Sequence, residues 1–131
     1  MPLSYSIDVT TEVVTFHYVS DPPFSEWAST MDAVLRDSAF RHGYGFLLDR
    51  SQITTAAETE YIRRIVEYVR AHEHQLSSSR VAVLVQGVAP YGMARMAQIL
   101  LDQTKSDPQV FSSRDEALEW LSSGRTRHTD T

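Results

Sequence analysis

Asp49, Arg50 and Ser51 close one apolar run, GFLLD, and Gln86 to Tyr91 (QGVAPY) follow another, VAVLV. Arg95 comes about one helical turn beyond Tyr91. Open α/β sheets bind ligands outside the carboxyl ends of their strands, so Asp49, Arg50, Ser51, Gln86, Tyr91 and Arg95 make a candidate crevice. A guanidinium is a planar fork suited to a carboxylate or phosphate, and a helix beginning near Pro90 aims its positive end at the same rim. Gly87 and Gly92 let backbone approach a ligand. Against this, Pro90 removes one N–H donor, and no GxxxxGK[ST] phosphate loop is present. The competing reading is structural: Asp49 and Ser51 satisfy loop backbone, Tyr91 packs, and Arg95 pairs with an acidic neighbour. An Asp49–Arg95 bond makes the rim structural. If the two stand apart and exposed, a polar or anionic ligand fits, with Tyr91 as lid or stacking group. The structural outcome is the expectation.

Other chemistry is thinner. Ser51 beside Asp49 supplies two members of a hydrolytic triad, but there is no G-x-S-x-G elbow and no histidine placed near them. Asp-x-Ser is more often a turn device, since both side chains bond local backbone. His72 and His74 stand at i, i+2 and point to different helix faces, so no metal site is expected. Glu58, Glu60 and Glu67 read as a solvated face. Met93 and Met96, with Trp27 or Trp120, read as core before they read as the lining of a pocket. No cofactor motif is found.

The formal net charge is −5, without the basic face that phosphate neutralisation needs, so nucleic acid is not an expected partner. No apolar stretch nears the roughly 20 residues needed to span a bilayer. The N-terminus, MPLSYSIDV, lacks the basic and apolar regions of a signal peptide, and there is no cysteine, so a cytoplasmic location is expected.

The elements that must position the crevice follow from periodicity. Tyr5, Ile7 and Val9 alternate with Ser4, Ser6 and Asp8, a half-buried strand, and Val13–Tyr18 is its hairpin partner. This hairpin leaves a sheet edge and an apolar patch uncovered, which points to a homodimer. Asp21-Pro22-Pro23 ends it. Ser25 is the expected N-cap of a helix striped by Trp27, Met31, Val34 and Leu35. Gly45–Asp49 is the third strand. A long helix is expected over about residues 56–74, with Tyr61, Ile65, Tyr68, Val69 and His72 inward and Ile62 and Val66 broadening the stripe. Val81–Val85, apolar on both faces, is a central parallel strand. The next helix has Pro90 in its first turn and Met93, Met96, Ala97, Leu100, Leu101 and Thr104 inward. Gln109–Phe111 is a short fifth strand. Ser113 and Glu116 have capping-box spacing, Ala117, Leu118 and Leu121 face inward with Trp120 beside them, and Gly124 is the expected stop. The fold class is α/β: one domain over residues 1–124, a mixed, mostly parallel five-stranded sheet flanked by four helices, then a flexible tail over 125–131.

This order resembles the SpoIIAA-like or STAS-like superfamily, particularly its small bacterial members. LLDRS at Leu47–Ser51, APYGMARM at Ala89–Met96 and VFSSRDEALEWL at Val110–Leu121 carry the resemblance, which spans roughly Tyr5 to Leu121. It implies near-sequential strand order, and binding or regulation through a protein partner rather than chemistry. STAS proteins carry an Asp-Ser-Ser-Gly-like segment after the third strand, with a phosphorylated serine. The matching region here reads QITTAAETE, Gln52–Glu60, and departs from it. Ser51 is the nearest candidate phosphorylation site, and Ser51→Ala is expected to leave partner binding intact. The leading reading is thus a non-enzymatic regulatory or binding domain acting through a protein partner or small ligand. The alternative is a small-molecule or lipid-binding protein with an apolar cavity, as in the related CRAL-TRIO-like domains; an enzyme of unrecognised type is the third. A deep apolar cavity favours the second reading and a shallow polar surface the first.

Overall fold

The computed structural model describes residues 2–102 and 104–129, with residues 124–129 described by backbone alone. The strands are β1 (Leu3–Asp8), β2 (Val13–Tyr18), β3 (Gly45–Asp49), β4 (Arg80–Leu84) and β5 (Asp107–Phe111). The helices are α1 (Phe24–Arg36), α2 (Thr59–Ala71), the short α3 (Glu73–Leu76), α4 (Val88–Leu101) and α5 (Arg114–Thr129). The sheet runs β1-β2-β3-β4-β5, antiparallel between β1 and β2 and parallel elsewhere. β4 therefore has parallel neighbours on both sides, as its two-faced apolar run requires.

Sequential order decides which face each helix covers. Parallel strands that advance in one direction through crossovers of one hand put every crossover on the same face. Accordingly α1, α2 and α4 share a face, over Phe16, Phe46 and Leu48. α5 follows the last strand and covers Leu47, Ala82, Leu84 and Phe111 from the other side. Gly45 admits α5 closely: a Cβ there would lie 3.0 Å from Leu121 Cδ2. One helix cannot cover five strands. The α5-side face of the hairpin stays wet, with Ser4, Ser6, Asp8 and His17 exposed. Those are the residues that alternate with the hairpin's apolar positions.

Several local expectations shift. α1 starts at Phe24 rather than after Ser25. Pro23 is its N-cap, and the Pro23 carbonyl accepts the Glu26 and Trp27 N–H groups. The helix expected over 56–74 is split. Buried Ile53 pins the preceding loop, so α2 begins only at Thr59. At the far end the Tyr68 carbonyl faces both the His72 N–H and the His72 Nδ1, and regular winding stops. The short α3 that follows makes five helices, not four. α2 also buries two stripes: Tyr61, Ile65 and Tyr68 pack with Trp27 and α1, while Ile62 and Val66 pack with Leu101 of α4. Ser113 does cap α5, its Oγ accepting the Glu116 N–H at 3.3 Å. Leu118, expected inward, is 38% exposed. The helix runs through Gly124 to Thr129, so the stop expected at Gly124 does not occur. Of the expected tail, residues 130–131 lie outside the described residues.

Candidate functional site

The six residues of the expected crevice do not share one site, because successive strand residues point to opposite faces. Asp49 faces the α5 side, beside His17 on β2 and Leu84 on β4. There its carboxylate accepts bonds from Ser51 Oγ at 2.6 Å, Ser51 N–H at 3.1 Å and Arg114 Nη1 at 2.8 Å. Its partner is thus Arg114 at the start of α5, not Arg95. Arg95 lies on α4, across the sheet, exposed and with no ion pair among the described residues. Gln86 turns toward β5, its Nε2 donating to the Ser112 carbonyl at 3.0 Å. Tyr91 is 39% exposed on the outer side of α4. The α4 N-terminus itself rests on Gly87, whose φ of +99° few other residues tolerate.

Asp49 is a structural anchor for the start of α5. Burial pushes its carboxyl pKa up, but the two Ser51 bonds, then the Arg114 and His17 charges, outweigh this and hold it below the ordinary value of 3.8. A depressed carboxyl stabilises the fold above its unfolded pKa and loses that contribution as pH falls through the folded value. Asp49→Asn should therefore cost about 1–2 kcal/mol at neutral pH, a partly exposed charged hydrogen bond. Its deficit against wild type should shrink below pH 4 in urea titrations across pH. A deficit independent of pH would refute the charge argument.

Arg50, one residue on, faces the opposite side with Leu48. It reaches into a partly open cavity of about 80 Å³ lined by the sheet, α2 and α4. The walls are apolar, from Leu48 and Val83 on the sheet, Ile62 and Ile65 on α2, and Met93 and Ala97 on α4. The polar groups are few: Tyr18, Arg50, Tyr61, Gln98 and the exposed residues Thr55 and Gln109. Only 12% of the Arg50 side chain is exposed. It donates from Nη2 to Asp21 Oδ1 at 2.6 Å, and its guanidinium carbon lies 4.8 Å from the Tyr18 ring centre. Burial opposes its charge, but Tyr18 and Asp21 more than offset that, so it stays cationic. Burial likewise pushes the Tyr18 and Tyr61 hydroxyls up, keeping both protonated as donors. Tyr61 Oη and Gln98 Oε1 are buried without a well-formed hydrogen bond among the described residues, although the Arg50 guanidinium is near enough to Tyr61 Oη to offset part of the upward push of burial. Buried polar atoms are normally satisfied, so these two have hydrogen-bonding capacity to spare on the cavity wall.

Tyr18, Tyr61 and Gln98 escaped the sequence reading. A signal existed for two of them. Tyr18 shares a strand face with Phe16, and Gln98 interrupts the apolar stripe that runs from Pro90 to Leu101. Met93 lines the first cavity and Trp27 the second, and Trp27 is also part of the buried core, as expected.

No protein-family model and no curated protein matches the sequence. Among solved structures, the chain is similar to an uncharacterised protein of the DUF3478 family from Shewanella loihica, described as having a SpoIIAA-like fold. The TM-score is 0.61 at 16% identity, over 91% of this chain and 93% of that one. The fold is therefore SpoIIAA-like, and the strand order expected from the resemblance is the one found. No helix among the described residues is long and apolar enough to cross a membrane.

Proposed function

We propose that this chain is a binding domain whose ligand is a small molecule with an anionic head and an apolar body, held in the cavity between the sheet, α2 and α4. The observation that carries this is a buried, charged Arg50 in the wall of an otherwise apolar chamber. A buried charge is costly unless paired. Asp21 takes one donor of the fork and the Tyr18 and Tyr61 hydroxyls lie near enough to engage others, out of the five a guanidinium has. The Tyr61 hydroxyl adds a neutral donor. The positive end of α2 lies beside the same head position, since Tyr61 is in its first turn. Nothing in this arrangement requires bond-making, and it accords with the binding role that the family resemblance implies.

The test is titration calorimetry with pentanoate and with pentanol at equal ionic strength. A charge-assisted head contact predicts that the acid binds about tenfold or more tightly. Equal affinities, or no binding of either, would remove the reading. A homodimer remains a separate expectation. The middle of the hairpin's apolar face is covered, with Leu3 buried and Tyr5 and Ile7 packed against the core, while Val9 and Val19 at its ends are exposed. The dimer proposal rests on the open edge of β1 and on these exposed valines.

A further inference from the structure

A second cavity, of about 50 Å³, lies on the same sheet face. It shares Leu48, Ile65 and Leu101 with the first, so those side chains border both chambers. We infer that the chambers form one slot for a straight acyl chain, with the carboxylate at Arg50 and the methyl end beneath Val69 and Leu76. The inference rests on the binding role proposed above and names its ligand class.

The course of the slot follows from the secondary structure. Phe46 and Leu48 stand two residues apart on β3 and project to one face, and Arg50 lies one residue beyond the strand's end, in the same chamber as Leu48. Arg50 and Leu48 line the first chamber, and Leu48 and Phe46 the second. The path thus follows β3 from Phe46 to its end at Asp49, about 10 Å at about 3.3 Å per residue, and then reaches Arg50. α2 runs above it: Tyr61 and Ile65 border the head chamber, and Ile65 and Val69 the tail chamber. Polarity changes along the same line. The charge of Arg50 and the phenol hydroxyls of Tyr18 and Tyr61 belong to the head chamber, while the polar groups of the tail chamber are Ser79, Ser106 and the Trp27 indole N–H. The tail chamber is bounded almost entirely by hydrocarbon and aromatic surface. A compact polar metabolite would leave that end empty. A flexible chain with one charged end fits both, with Leu48, Ile65 and Leu101 rotating to let it pass.

The experiment is a chain-length series of saturated monocarboxylates, butanoate to dodecanoate, titrated into the purified chain and into Val69→Phe and Val81→Leu. Both residues line only the tail chamber, on different elements, so one variant serves if the other fails to fold. Wild-type affinity should rise about fourfold per added methylene until the slot is full. Either variant should bind the short acids as wild type does and reach its plateau several carbons earlier. A wild-type plateau already at the shortest acids, or variants with an unchanged plateau, would overturn the slot while leaving the head chamber a binding site. Failure of every acid to bind would overturn the slot and the binding role together.

Discussion

Arg50→Met should abolish the preference for an acid over the matching alcohol and lower the stability of the unliganded protein by about 2 kcal/mol. Methionine retains most of the apolar stem, so the cavity wall is preserved and the charge alone is removed. Two contacts disappear with it: the ion pair to Asp21 and the guanidinium over the Tyr18 ring. The second contributes about 0.5–1 kcal/mol. Loss of a fully buried pair would cost more, roughly 3–5 kcal/mol, but Asp21 is 35% exposed and rehydrates when left alone. That argument makes a second statement. Asp21→Ala should cost less than Arg50→Met, and the double variant should cost less than the sum, because the pair is removed only once. Chemical denaturation gives all three energies. Additive losses would show that Asp21 does not hold Arg50, and retained acid preference in Arg50→Met would move the head position elsewhere.

What the sequence displayed and what it hid follow from the reach of each signal. Periodicity is local, and it placed β2 at Val13–Tyr18 and β3 at Gly45–Asp49 with the bounds the structure has. It also placed Trp27, Met31 and Val34 on the buried stripe of α1. Facing is a property of the sheet as a whole. Asp49 and Arg50 were grouped because they adjoin in sequence, yet alternation sends them to opposite sides, one to α5 and the other to the cavity. The pairing of Asp49 with Arg114, 65 residues away, depends on α5 crossing the far face, which no local pattern announces. The cavity was hidden for a related reason. Its walls come from every layer of one half of the molecule, and each wall residue alone reads as ordinary core. Only a polar intruder such as Gln98 marks the difference.

The two-sided architecture also sets where truncation should hurt most. Phe16 is 0% exposed in the middle of the three-helix face, and its ring centre lies 6.5, 6.5 and 6.2 Å from those of Tyr5, Tyr18 and Phe46. Phe16→Ala removes a ring from a site walled by other rings and by sheet backbone, which collapse poorly, so about 4 kcal/mol of stability should be lost. On the far face the matching comparison lies within α5. Leu121 is 5% exposed and seated against Gly45, whereas Leu118 is 38% exposed. Leu121→Ala should cost about 2–3 kcal/mol and Leu118→Ala about 0.5 kcal/mol or less. Apolar spacing alone treats Leu118 and Leu121 as equals, so their ratio tests the orientation of α5 directly. Comparable losses at 118 and 121 in urea denaturation would mean that α5 is rotated from the pose described, and the Asp49–Arg114 pair at its start would fall with it. A Phe16→Ala loss near 1 kcal/mol would mean that the aromatic layer can close over the gap, and the slot beneath α2 would then lack the rigid floor that a length-selective site needs.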